Sequence, residues 1–183
     1  MKVPILLLPA MVLLLAADDL KQSDVPELNR KVLEFARDQL GKKVGDGECA
    51  TLAARALLKA EARRSSTTRD RQYVWGKLVR TVTPDTNLTG DVLPGDVLQF
   101  RGVVFAWRAG NDTFEATYPL HTAIVAAVKA DGKVVEVLHQ NVGDFAVPDA
   151  GRRKVQRTTM RFDELKKGSV KIYRPLPRTD GGG

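Results

Sequence analysis

Cysteine is nearly absent from this chain. A single one, Cys49, stands among 183 residues, so no intramolecular disulfide can form and CxxC pairs for zinc or thiol exchange are excluded. Histidine is almost as scarce, with His121 and His139 the only two. A zinc site built from Cys49, His121 and His139 would therefore lack any close ligand pair, and neither a metal nor another cofactor is expected. Also missing are an internal repeat and any apolar run of the about 20 residues that a membrane-crossing helix needs. What remains is the length of one domain with room for a real core.

The chain starts MKVPILLLPAMVLLLAA, a lysine followed by a short apolar stretch and a small-residue exit before Asp18 and Asp19, which is the pattern of a secretory signal. No cysteine sits just after it to carry a lipid. The expectation is an exported protein, secreted or periplasmic, with no membrane span once residues 1–17 are removed. Residues 18–23 are read as a flexible lead-in, 24–174 as one domain and 175–183 as a flexible tail. The net charge of +7 suits an anionic surface such as a cell wall. The basic residues are scattered, however, and the densest run, 151–157, is short, which is how a solvated surface reads. No nucleic-acid partner is expected, and a monomer is.

Asp24 with Glu27 makes a capping-box pattern, after which Leu28, Val32, Phe35, Ala36 and Leu40 recur at helical spacing until Gly41. Residues 42–47 form a loop. A second helix begins at Glu48 or Cys49, with Leu52, Ala53, Ala56, Leu57 and Ala60 along one stripe. Its alanines permit close approach to a sheet, which makes it central. Residues 64–69 are a polar linker, and 73–82 can be a strand or irregular. From there short apolar runs alternate with turn residues, the signature of an antiparallel sheet. Strands are predicted at 97–100, 103–108, 113–118, 121–128, 133–141, 155–161 and 169–173, with a helical turn within 162–167. Helices followed by strands give an α+β class, with N-terminal helices packed on an antiparallel sheet or half-barrel.

The stretch GDGECATLAARAL, residues 45–57, places Cys49 where a glycine loop enters a helix. The positive end of the helix dipole favours thiolate there, and free backbone N–H groups can hold a developing oxyanion. Gly45 and Gly47 let the loop backbone approach a ligand closely. Asp46 and Glu48 work against activation, because a carboxylate aimed at the thiol raises its pKa. On this stretch alone, a nucleophile and a small buried structural cysteine on an alanine-rich helix are equally good readings.

The histidines add weight to the first. HTAIVAAV and KVVEVLHQN, joined by Ala130, Asp131 and Gly132, form a hairpin. A two-residue turn would put His121 and His139 on opposite faces. A three-residue loop with Gly132 left-handed sets His121 opposite Asn141 and His139 opposite Ala123, gathering all three polar groups on one face. That loop also sends Glu136 and Gln140 to water, so it is preferred. A thiol, an imidazole to take its proton and a polar group to orient the imidazole are what nucleophilic thiol catalysis requires.

Taken in order, LEFARDQLGKKVG, GECATLAARAL, LPGDVLQF, HTAIV and VLHQN resemble the papain-like NlpC and CHAP families of cysteine peptidases and amidases, over residues 33–141. The resemblance implies Cys49 as nucleophile, His121 as general base and His139 as the orienting third residue. Gly47, Glu48, Gln140 and Asn141 become candidates for supporting the substrate or oxyanion. The expected activity is cleavage of amide bonds in peptides or peptidoglycan stem peptides, with such a peptide as partner. The chain departs from the families at Glu48, where CHAP members usually carry glutamine, and at Val44, where NlpC members tend to carry tyrosine. The GDGEC form is also similar to a papain-like domain at the end of certain eukaryotic cytoskeletal adaptor proteins, where a peptidase role is not assured. A non-catalytic binding domain and a thioester acyltransferase are the alternatives on the same fold.

Overall fold

Two helices open the described part of the chain, and each buries one stripe. The computed structural model describes residues 24–67, 73–86, 91–129, 132–143 and 151–178, so the segment read as a signal lies outside it. Helix α1, Glu27–Asp38, turns Asn29, Val32, Leu33 and Ala36 inward. The predicted capping box is not made. Pro26 occupies the N-cap with φ −52°, and Glu27 pairs forward with Lys31 at 2.8 Å instead of reaching back. Helix α2, Cys49–Lys59, buries Leu52, Ala53, Ala56 and Leu57, as the alanine-rich stripe predicts.

The remaining elements are strands: β1 Ser66–Thr67, β2 Tyr73–Val74, β3 Lys77–Val82, β4 Val97–Ala109, β5 Asp112–Val128, β6 Val134–His139, β7 Gln156–Arg161 and β8 Leu165–Arg174, with a 3-10 turn at Phe162–Glu164. β1 and β2 pair with each other, and the others form an antiparallel sheet in the order β3-β8-β4-β5-β6-β7. This is the α+β architecture expected, two helices on an antiparallel sheet.

Neighbouring residues along the strands divide between two apolar clusters, one per face. Val97, Ile124, Leu138 and Tyr173 meet the helices, together with Leu52, Leu57 and the buried Trp75. Leu98, Ala123, Val137 and Ile172 face the other way, with Phe100, Phe105 and Val170. Truncating a fully buried leucine such as Leu52 to alanine in a core like this costs about 2–5 kcal/mol.

The strand boundaries differ from expectation at the ends, where β6 stops at His139 instead of 141 and β8 begins at Leu165 instead of 169, and most of all in the middle of the sheet. Runs predicted as separate strands, 97–100 with 103–108 and 113–118 with 121–128, are continuous in β4 and β5, whose pairing extends from Val97 opposite Ile124 to Ala109 opposite Asp112. The break in hydrophobic alternation that suggested two strands is real but has another cause. Phe100 and Val103 both join the second cluster, so the inward face changes parity between them, at Gly102 with φ 57°, where β4 also shifts register against β8.

The β5–β6 hairpin keeps the expected register beside the histidines, with Val125 opposite Val137 and Ile124 opposite Leu138. Nearer the turn a bulge shifts the pairing by one, so that Val128 opposes Val135 and Lys129 N–H donates to Val134. Gly132 is left-handed, as predicted, with φ 69°.

A buried polar clamp ties helix to sheet. Asp96 accepts from Asn29 at 2.8 Å, from the Leu93 amide at 2.9 Å and from Arg174 at 2.9 and 3.1 Å. Every lone pair of a fully buried carboxylate thus has a donor, so the clamp leaves none of its oxygens unsatisfied.

Candidate functional site

Cys49 is the first residue of α2, and the loop before it is held from several sides. Asp46 accepts from the Glu48 amide at 3.0 Å and the Thr51 hydroxyl at 2.7 Å, in place of a side-chain cap from Glu48 itself. Gly47 has φ 86°, and a Cβ there would fall 2.7 Å from the Cβ of Arg153, whose guanidinium donates to the Asp46 carbonyl at 2.9 Å. Glu48 points away from the thiol to the rim, accepting from Asn141 at 2.8 Å and facing Arg153 at 3.5 Å.

Gln140 corrects the sequence reading that sends it to water. It is fully buried, its amide donating to the carbonyls of Val44 and Glu48 at 3.0 and 2.8 Å and accepting from Val44 N–H at 3.2 Å. The alternation along β6 ends at His139, and Asn141 follows with φ 60°, so the residues beyond the strand turn back to the Cys49 loop. For the same reason Asn141 serves Glu48 and not the histidines.

The histidines do converge. His121 on β5 and His139 at the end of β6 are both buried, with His121 Nε2 3.0 Å from His139 Nδ1. His139 Nε2 lies 2.7 Å from the hydroxyl of Thr158 on β7. Phe100 and Tyr118 pack against the imidazole of His121 at centroid distances of 5.7 and 5.2 Å. Gln99 fixes the backbone beneath: it donates to the His121 carbonyl at 2.9 Å and accepts from Trp75 at 2.9 Å and the Thr122 hydroxyl at 3.2 Å.

Cys49 and His121 share a cleft of about 320 Å³, whose walls include Tyr73, Tyr118, Leu120 and Asn141. They do not share a proton. Among the described residues no hydrogen bond joins the sulfur to His121; its partners are the amides of Thr122 and Ala50 and the Thr122 hydroxyl. Burial pushes the thiol pKa up, against those amides, and the Glu48 carboxylate adds to the rise. The helix dipole, expected to favour thiolate, is thus outweighed by desolvation. Burial also lowers His121 to about 3, with His139 contributing, and His139 to about 4. At neutral pH both imidazoles and the thiol are therefore uncharged. Among the described residues no cluster of three or more His, Cys, Asp or Glu side chains is placed to hold a metal ion.

Thr158 and Gln99 escaped the sequence reading. For Thr158 a signal existed: Gln156, Thr158 and Met160 alternate with exposed Arg157, Thr159 and Arg161, which puts the threonine on the inner side of β7.

A family model described as the AIM3/BBC1 cysteine proteinase-fold domain matches residues 15–182. The chain is also similar to Altered inheritance of mitochondria protein 3 of the yeast Debaryomyces hansenii, with 27% identity over 158 residues, which is 82% of this chain and 16% of that protein. The chain therefore spans about one sixth of the length of the curated relative it matches. No solved structure matches it. These matches support a papain-like cysteine proteinase fold and leave the narrower NlpC or CHAP assignment behind. They also correct the secreted or periplasmic location: the family match begins at residue 15, inside the segment read as a signal, and the relative is a yeast protein named for mitochondrial inheritance.

Proposed function

The chain belongs to the family of AIM3/BBC1 cysteine proteinase-fold domains, and from that premise we propose that residues 24–174 act as a single non-catalytic interaction domain, holding an extended segment of a partner protein in the Cys49 cleft without cutting it. One observation carries this reading. The thiol and the imidazole of His121 line the same cleft, yet no hydrogen bond joins them and neither is charged in the resting state. Thiol catalysis needs the proton to pass between them. A binding cleft needs only its shape and its polar groups, and Tyr118, Leu120 and Val142 offer apolar wall while Glu48 and Asn141 offer a polar rim.

Hydrolysis through Cys49, His121 and His139 stands as the second reading, favoured by the His121–His139 bond at 3.0 Å, which would orient a general base. Thiol labelling separates the two, and the lone cysteine makes the measurement clean. Iodoacetamide uptake is followed across pH in the wild type and in His121→Ala, with Cys49→Ala as the blank. The expected profile titrates above an ordinary cysteine and is unchanged by His121→Ala. A profile titrating below an ordinary cysteine, and displaced upward by His121→Ala, would overturn the binding reading in favour of hydrolysis.

A further inference from the structure

The chain of side chains behind the cleft runs through three strands, from His121 on β5 to His139 on β6 to Thr158 on β7, with contacts of 3.0 and 2.7 Å. Each contact needs one donor and one acceptor. If both imidazoles are neutral, only two arrangements satisfy every contact. In one, the Thr158 hydroxyl donates to His139 Nε2, His139 Nδ1–H donates to His121 Nε2, and His121 carries its proton on Nδ1. In the other the direction is reversed: His121 Nε2–H donates to His139 Nδ1, His139 Nε2–H donates to Thr158 Oγ1, and His121 Nδ1 is bare. His121 Nε2 being occupied by His139, Nδ1 is the nitrogen left for the cleft that His121 lines.

Two features favour the second arrangement. Protonation at Nε2 is the intrinsically preferred tautomer of neutral imidazole, and the second arrangement gives it to both rings. Thr158 is only partly buried, so its own hydroxyl proton can go to solvent while the oxygen accepts. The burial that keeps both imidazoles neutral removes the charged alternative.

We propose that Thr158 is a positioning residue that sets the polarity of the cleft: acting through His139, its hydroxyl oxygen holds His121 Nδ1 as a bare hydrogen-bond acceptor for an N–H or O–H donor of the bound ligand. The ligand class rests on the binding reading above, since a backbone amide of an extended segment is such a donor. The tautomer does not rest on it. Thr158→Val puts a methyl group where the oxygen stood, so His139 Nε2–H loses its acceptor and both protons move in concert to Nδ1. His121 then offers a donor to the cleft, the opposite of the wild type. Thr158→Ser keeps the oxygen and so keeps the polarity.

Nitrogen-15 NMR of the imidazole side chains reads this directly, because protonated and bare ring nitrogens resonate far apart and only two histidines contribute. The expected result is Nε2–H for both rings in the wild type and Thr158→Ser, and Nδ1–H for both in Thr158→Val. Nδ1–H in the wild type would overturn the proposal, as would a folded Thr158→Val whose rings are unchanged. The wild-type and Thr158→Ser spectra decide even where Thr158→Val does not fold. A loss of side-chain packing alone would not exchange both tautomers together. No ligand enters the experiment, so these outcomes are separate from the labelling result that tests the binding reading.

Discussion

The two walls of the cleft are held by different means. The helix wall, Val44 to Cys49, belongs to no strand of the sheet and is braced mainly by side chains reaching from elsewhere: Gln140 on its carbonyls, Arg153 on Asp46 and Asn141 on Glu48. The sheet wall is backbone-paired strands with a chain of rings and hydroxyl running across them, sealed by Phe100 and Tyr118. Each wall is well satisfied within itself. What is missing is a bond between the thiol and the imidazole, since the thiol turns to the Thr122 amide on β5 and the imidazole to His139. In a papain-like site the bond between thiol and imidazole is thus separable from the integrity of the walls that carry them.

The largest effect is expected on the helix wall. Gln140→Ala removes three hydrogen bonds and leaves Val44 N–H without its acceptor in a dry site, while the carbonyls of Val44 and Glu48 keep the amides of Gly47 and Thr51 as donors. At about 1–3 kcal/mol for the unsatisfied amide, with the two lost bonds to carbonyls and the cavity left by the side chain added, the loss is about 3 kcal/mol. Urea unfolding measures it. A loss below about 1 kcal/mol would mean the loop holds its own shape and that the asymmetry between the walls is wrong.

The sheet wall should reveal itself through pH. His121 lies at about 3 and His139 at about 4 in the fold, against about 6.5 in an unfolded chain. Between those values the unfolded state takes up protons that the folded state refuses, so stability is full above about pH 6.5 and falls as the pH drops toward 4. From pH 7 to pH 5.5 the two imidazoles together account for about 2–3 kcal/mol. The carboxylates with lowered values, Glu27, Asp46 and Glu136, remain ionised across that window and do not contribute. Urea unfolding at the two pH values tests this, and in His139→Ala the pH dependence should shrink by about half. A wild-type stability flat over this range would place the histidines in contact with water.

How much of this was legible follows the range of each interaction. Helix α2 and its stripe, the strand content and the pairing of Val125 with Val137 all follow from spacing within a dozen residues, and they are where the sequence puts them. The pairing of His121 with His139 was legible too, because one hairpin joins them. Gln140 was misread because its partners are Val44 and Glu48, more than 90 residues away, and nothing local distinguishes a glutamine that finds two carbonyls from one that finds water. The thiol was misread in its energetics. Helix position is a sequence property, but the burial that outweighs the dipole arises only once the helix is packed in the fold.

The smallest expected effect probes the one electrostatic link from the rim to the thiol. Glu48 is held outward by Asn141 at 2.8 Å and faces Arg153 at 3.5 Å, so its charge is partly compensated and partly in water. It still disfavours a thiolate on the next residue. Glu48→Gln keeps the shape and removes the charge, so the thiolate becomes easier to form and iodoacetamide labelling of Cys49 at fixed pH should rise roughly twofold at low salt. Because the carboxylate is near solvent, the gain should fade in about 1 M salt, where screening cuts the interaction to about 3 Å. A gain of an order of magnitude or more, undiminished by salt, would mean that Glu48 acts on the sulfur through a dry path. Glu48 would then be a restraint on reactivity rather than a rim charge, and the two walls would be more closely coupled than their hydrogen bonds imply.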